Sequence, residues 1–208
     1  MIKVPYALPG LQPSKLMGRK TSVLAELIDV FPTMLELTNV SAPAGEVLDG
    51  TSLVPVLMKP DPAVAAALKP YALSQYMRCP IMSADGGKCG KGGLDPNSGN
   101  CTWQTNASLF WRANSCLFTD RTAIPFMGYT LRTAQWRYTE WVRWRGVKPM
   151  WNETVGVELY THKGDKGTMA EYDDFENANQ AAANPQVAAQ MAKQLREIVK
   201  NQTWHRPR

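Results

Sequence analysis

Four cysteines and a run of tryptophans interleaved with arginines are the residues of this sequence best suited to chemistry. Cys79, Cys89, Cys101 and Cys116 fall in one stretch rich in Gly, Asn and Ser. An even number of cysteines in loop-like sequence suits two disulfides, with three pairings open. Zinc and unpaired thiols are the rival uses, and no pair shows the short Cys-x-x-Cys spacing of a typical tetrahedral zinc site. Trp136, Trp141, Trp144 and Trp151 alternate with Arg132, Arg137, Arg143 and Arg145. Such interleaving can stack sugars or bases and clamp anions bidentately. In a β-hairpin it also arises when aromatic rings pack inward and arginines face water, the reading favoured for most of these side chains. The two histidines, His162 and His205, stand far apart without metal-binding spacing and read as surface turn and tail residues. No Gly-rich phosphate loop and no nucleophile elbow occurs.

Asn39, Asn100, Asn106, Asn152 and Asn201 open Asn-x-Ser/Thr tripeptides, the acceptor pattern for N-glycosylation. With the cysteines they favour an oxidising, secretory-pathway origin. Met1 opens onto Ile-Lys-Val-Pro-Tyr, which has no apolar core of signal-peptide length, and a truncated N-terminus would reconcile the two observations. The net charge of +5 comes from scattered basic residues, so a solvated basic surface is expected rather than a nucleic-acid patch. No stretch of about 18 apolar residues calls for a membrane span. A hydrophobic fraction of 44% over 208 residues is that of a folded chain of one ordinary domain.

These side chains need elements to hold them. Leu27, Ile28, Phe31, Met34, Leu35 and Leu37 follow helical spacing, with Pro32 inside it. Starting the helix with Asp29 as N-cap leaves Pro32 in the first turn, where its missing N–H costs nothing. A helix over 30–38 should then bury Phe31, Met34 and Leu35, with Thr38 a further candidate. Residues 52–58 read as a short helix ended before Pro60, and residues 71–76 as a strand. Residues 128–133 and 137–142 alternate with period two and read as an antiparallel hairpin, followed by a short strand at 157–160. Asn184-Pro185 should open a helix to about residue 201, with Val187, Met191, Leu195, Ile198 and Val199 inward. The result is an α+β fold: a small antiparallel sheet of three or four strands with helices against it.

Four segments in order carry a family resemblance. Residues 27–37, Leu-Ile-Asp-Val-Phe-Pro-Thr-Met-Leu-Glu-Leu, and 48–57, Leu-Asp-Gly-Thr-Ser-Leu-Val-Pro-Val-Leu, resemble paired motifs of the sulfatases. Ser74-Gln75-Tyr76-Met77-Arg78, and the run from Met127 through Trp141, are similar to the iduronate-2-sulfatase branch. Glu158-Leu159-Tyr160 with Glu176-Asn177-Ala178-Asn179 resembles that family's closing element, and the Cys-rich residues 79–122 depart from it as an insertion.

The resemblance implies a C-terminal portion. Residues 1–60 would end the large alkaline-phosphatase-like α/β domain, and residues 61–208 would form the C-terminal subdomain with its small sheet and packing helix. It implies hydrolysis of sulfate esters on a sulfated carbohydrate, in a lysosomal or extracellular compartment. Family members use a formylglycine made from the cysteine of Cys-x-Pro/Ala-x-Arg, and a calcium held by acidic residues. Cys79-Pro80 and Cys116-Leu117 do not match that pattern, so neither a nucleophile nor a metal ligand is assigned, and the remainder of the sulfatase domain is the implied partner. Arg78 and Arg132 are the candidate substrate contacts, since guanidinium groups suit a sulfate or uronate. Strand-edge salt bridges are the competing use of both. The rival function is a secreted, non-catalytic glycan- or protein-binding module built on the Arg/Trp hairpin.

Overall fold

The computed structural model describes residues 21–78, 122, 124–146, 148–165 and 175–201. The four candidate disulfide cysteines, Asn100, Asn106 and His205 lie outside them. A 3-10 turn, Leu27–Asp29, leads into α1 (Val30–Thr38), followed by α2 (Val54–Met58) and α3 (Pro62–Leu68). Then come β1 (Ala72–Arg78), β2 (Phe126–Arg132), β3 (Trp136–Trp144), β4 (Pro149–Thr161) and α4 (Pro185–Asn201). The strands form one antiparallel sheet in the order β1-β2-β3-β4, so the described residues adopt the expected α+β class, with four strands where three or four were expected.

Period-two alternation divides the sheet into two faces. Met127, Tyr129 and Leu131 of β2, Tyr138 and Val142 of β3 and Leu159 of β4 share one face, which meets Met191, Leu195 and Val199 of α4. Those three helical residues recur at intervals of four, the spacing that lines one side of an α-helix. Trp136, Trp144 and Trp151 pack against this core as expected. At its centre sits a charge. Glu140 is fully buried and accepts from Tyr138 Oη (3.3 Å), Thr154 Oγ1 (2.6 Å) and the Arg196 guanidinium of α4 (Nε, 3.2 Å). That ion pair fixes the helix along the sheet where apolar contacts alone would let it slide.

The N-terminal elements depart from expectation. Phe31 and Met34 are 51% and 57% exposed, while Asp29 and Thr33 are buried. The cause is hydrogen bonding. Asp29 does not cap its own helix; its carboxylate accepts from the backbone N–H of Thr51 (2.8 Å) and of Glu26 (2.7 Å). Thr33 Oγ1 donates to Asp29 O (2.6 Å) and accepts from Leu53 N–H (2.9 Å). These polar bonds turn the Asp29/Thr33 side of the helix inward and leave the apolar stripe outside. Gly50 belongs to the same contact, because a Cβ there would lie 2.0 Å from the Ile28 carbonyl oxygen. Helix α3, which the apolar periodicity did not announce, begins at Asp61-Pro62, with Asp61 Oδ1 accepting from Ala63 N–H (2.8 Å).

Candidate functional site

The sheet face away from α4 carries most of the polar residues with chemical potential. Register places Ser74, Tyr76 and Arg78 of β1, Gly128, Thr130 and Arg132 of β2, Arg137, Thr139 and Trp141 of β3, and Gly156, Glu158 and Tyr160 of β4 on that side. Thr130 and Thr139 stand opposite each other, hydroxyl to hydroxyl at 2.8 Å.

Trp141 organises one end. It sits opposite Gly128, and a Cβ at Gly128 would lie 2.7 Å from its six-membered ring, so only glycine lets the indole lie flat on the strand. Its Nε1 donates to Glu158 Oε1 (2.8 Å). The Arg78 guanidinium stands 5.7 Å from the ring centroid, and Tyr76 meets the ring edge-on at 6.3 Å. Arg78 is exposed and makes no ion pair among the described residues. A guanidinium over an indole, with hydrogen-bonding capacity to spare, can receive a carboxylate or sulfate while the ring offers an apolar face.

The other end is a network of closed ion pairs. Arg137 pairs with Glu176, and Arg132 approaches Asp165 at 3.9 Å while donating to the Thr133 carbonyl. His162 joins them: Nδ1 lies 2.9 Å from Asp165 Oδ2 and Nε2 3.0 Å from Glu176 Oε1, with Phe175 stacked on the ring. The expectation of a surface histidine is therefore corrected, since only 9% of His162 is exposed. Carboxylates from a turn and from a distant segment fold over the ring, which no local pattern announces. Burial lowers the Arg132 pKa; Asp165 and Glu176 oppose that shift and Arg137 adds to it. Burial also raises the Tyr160 pKa, reinforced by Glu158, to which its hydroxyl donates (3.3 Å).

Arg78 and Arg132 thus share a face but not a site. Arg132 is opposite Ala72 and Arg78 opposite Phe126, six register steps apart, or about 20 Å at strand spacing. Arg132 is held by Asp165 and Thr133, the salt-bridge use weighed against substrate binding, whereas Arg78 has no ion-pair partner among the described residues. Asn39, Asn152 and Asn201 are all exposed. Glu158, Asp165 and Glu176 carry the face's polar contacts, and only the Glu158-Leu159-Tyr160 and Glu176-Asn177 motifs marked two of them in the sequence.

A calcium does not fit the described residues, in which no group of three His, Cys, Asp or Glu side chains could hold a metal. The clustered carboxylates already face cationic partners: Asp29 and Glu26 face Lys69, Glu176 faces Arg137, and Glu140 faces Arg196. Both ring nitrogens of His162 are engaged by carboxylates, Nδ1 by Asp165 and Nε2 by Glu176.

No protein-family model matches the chain, and no curated protein matches it. Among solved structures it is similar to a Bacteroides thetaiotaomicron protein assigned to the sulfatases and to a 2-O GAG sulfatase. In both cases the identity is 17%, the TM-score 0.43, and the match covers 83% of this chain. The chain spans 24% of the length of each of those proteins.

Proposed function

We propose that this chain is the C-terminal part of a sulfatase-type sulfuric ester hydrolase, similar to iduronate-2-sulfatase and acting on a sulfated glycan. The observation that carries the proposal is the convergence of the motif segments. Asp29 and Thr33, from residues 27–37, bind the backbone of Thr51 and Leu53, from residues 48–57. Glu26 accepts from Leu73 N–H of β1 (2.8 Å), and Lys69 bridges Glu26 (2.7 Å) and Asp29. Segments recognised separately in the sequence therefore act as one folded joint. The apolar side chains left outside that joint, Leu27, Ile28, Phe31 and Met34, suit packing on further sulfatase-domain residues.

On this reading the division near residue 60 separates the end of the large domain from the C-terminal subdomain. The formylglycine nucleophile and the calcium belong to residues outside this chain. Arg78, on Trp141, is the described residue best placed to meet an anionic sugar. The compartment is lysosomal or extracellular. The test is to read the coding sequence upstream of Met1 and assay the joined polypeptide for sulfate release from sulfated uronate oligosaccharides. An in-frame Cys-x-Pro/Ala-x-Arg segment with sulfate release is expected. An open reading frame without that segment would overturn the proposal. The Arg78–Trp141 pair favours one rival, a non-catalytic glycan-binding module. That reading stands if the 208-residue chain binds heparin in a salt-sensitive way and the joined polypeptide releases no sulfate.

A further inference from the structure

Strand β4 is an edge strand, and its two halves are protected differently. Along residues 157–159 the outer edge is covered: Asn179 Oδ1 accepts from Leu159 N–H (3.0 Å), its Nδ2 donates to Val157 O (2.9 Å), and Gln180 N–H donates to Leu159 O (2.8 Å). Along residues 149–156 no described segment pairs with that edge. Val155 is 56% exposed there. An open strand edge with apolar side chains is a template for pairing with a second chain.

Asn152 lies within this half. Met150 is opposite Arg143 and Thr154 opposite Val142, so four residues of β4 advance against one of β3, and residues 151–153 bulge out of the ladder. The neighbours of Asn152 are all anchored. Trp151 packs on Tyr129 at 5.2 Å between centroids, Glu153 pairs with Arg143 (3.3 Å) and Arg145 (2.9 Å), and Thr154 donates to Glu140. Asn152 itself is exposed, and Asn152-Glu153-Thr154 is an acceptor tripeptide.

We propose that Asn152 carries an N-linked oligosaccharide that shields the half of β4 with no cover among the described residues from edge-to-edge association. The Asn152 carboxamide nitrogen attacks the anomeric carbon of a lipid-diphosphate-linked oligosaccharide. The lipid diphosphate departs, and the amide proton passes to a base of the transferase. The bulge gives the glycan its room, because an anchored ladder residue would hold it against the sheet. The inference rests on the secretory-pathway part of the proposed function and not on sulfate hydrolysis, so the two fail separately.

The test is to express the full chain behind a cleavable secretion signal in a eukaryotic host and remove N-glycans enzymatically in heavy-oxygen water. In chains shown by signal cleavage to have entered the lumen, most of the Asn152 peptide should carry the label. An unlabelled Asn152 peptide in such chains overturns the site, whatever the other sequons show. For the shielding role, Asn152→Gln should elute as larger species with rising concentration. Thr154→Ser, which keeps both the sequon and the hydroxyl bound to Glu140, should elute as the wild type does. Matching elution of Asn152→Gln and wild type at every concentration overturns the shielding role.

Discussion

Around Asp29 the chain buries charges and leaves apolar side chains outside; beneath α4 it buries apolar side chains and leaves most charges outside. In the first region Asp29, Lys69 and Thr33 are each less than one-tenth exposed, yet Leu27 is 92% exposed. In the second, Leu131, Leu159 and Leu195 are fully buried. The sheet with α4 satisfies its own hydrophobic surface. The Asp29 joint is held by directional bonds, and its apolar stripe is presented outward. A region organised to receive another surface must be shaped by something other than its own apolar burial, and buried hydrogen bonds do that.

The contrast predicts where each region breaks. Asp29→Ala leaves the Lys69 ammonium buried beside Glu26 alone, and losing one partner of a buried pair costs about 3–5 kcal/mol. Amide exchange should accelerate across residues 27–57 and at Leu73, while amides of β2 and α4 keep their protection. Equal acceleration in both regions would show that they unfold as one unit. Leu195→Ala should cost about 2–5 kcal/mol through the cavity it opens under the sheet, read as a lower urea midpoint. Its exchange pattern should be the mirror image, with β2, β3 and α4 affected first.

Acid should separate the regions too. Burial raises the Asp29 pKa, but the Lys69 hydrogen bond, the Thr51 and Glu26 N–H groups and the Lys69 charge outweigh it, and the net shift is downward. A carboxylate with a depressed folded pKa contributes stability above its unfolded value of about 3.9, lost as pH falls through the lower folded value. Hydrogen exchange should therefore show the Asp29 joint loosening below about pH 4, and Asp29→Asn should remove that pH dependence. A joint equally protected on both sides of that range would refute the assignment.

Smaller effects sharpen the comparison on the open face. Gly128→Ala forces the Trp141 indole off its strand and should cost about 1–3 kcal/mol, with a shift in tryptophan emission. Arg78→Ala removes an exposed side chain and should change stability by no more than about 0.5 kcal/mol. In the joined polypeptide it should raise KM for a sulfated oligosaccharide. Arg132→Ala should leave KM unchanged and lower stability, because its guanidinium already serves Asp165 and Thr133. An unchanged KM for Arg78→Ala would remove that residue from the binding face.

Much of the sheet and α4 was legible because local pattern and burial agree there. The alternation in residues 128–142 and the four-residue spacing from Val187 to Val199 each point to a single inward face, and the structure adopts it. Strand β4 begins earlier than the sequence suggests because Asn152, Glu153 and Thr154 look like loop residues, although the side chains of Glu153 and Thr154 are held by Arg143 and Glu140 of β3. For α1 the pattern misled. Phe31 and Met34 carry the apolar signal, while the inward face is chosen by Thr33 and Asp29, whose partners lie about twenty residues away.

The sequence by itself determined the β2–β3 hairpin, α4 and which face of α4 turns inward, since periodicity and capping act over a few residues. Only the tertiary structure decided that His162 is enclosed by Asp165 and Glu176, and that Arg132 approaches Asp165 while Arg78 lies over Trp141. It alone showed that half of β4 has no cover among the described residues. The physical reason is common to all three. A polar side chain's role is set by the partner that reaches it, and those partners come from other elements through bonds that leave no periodic trace in the chain.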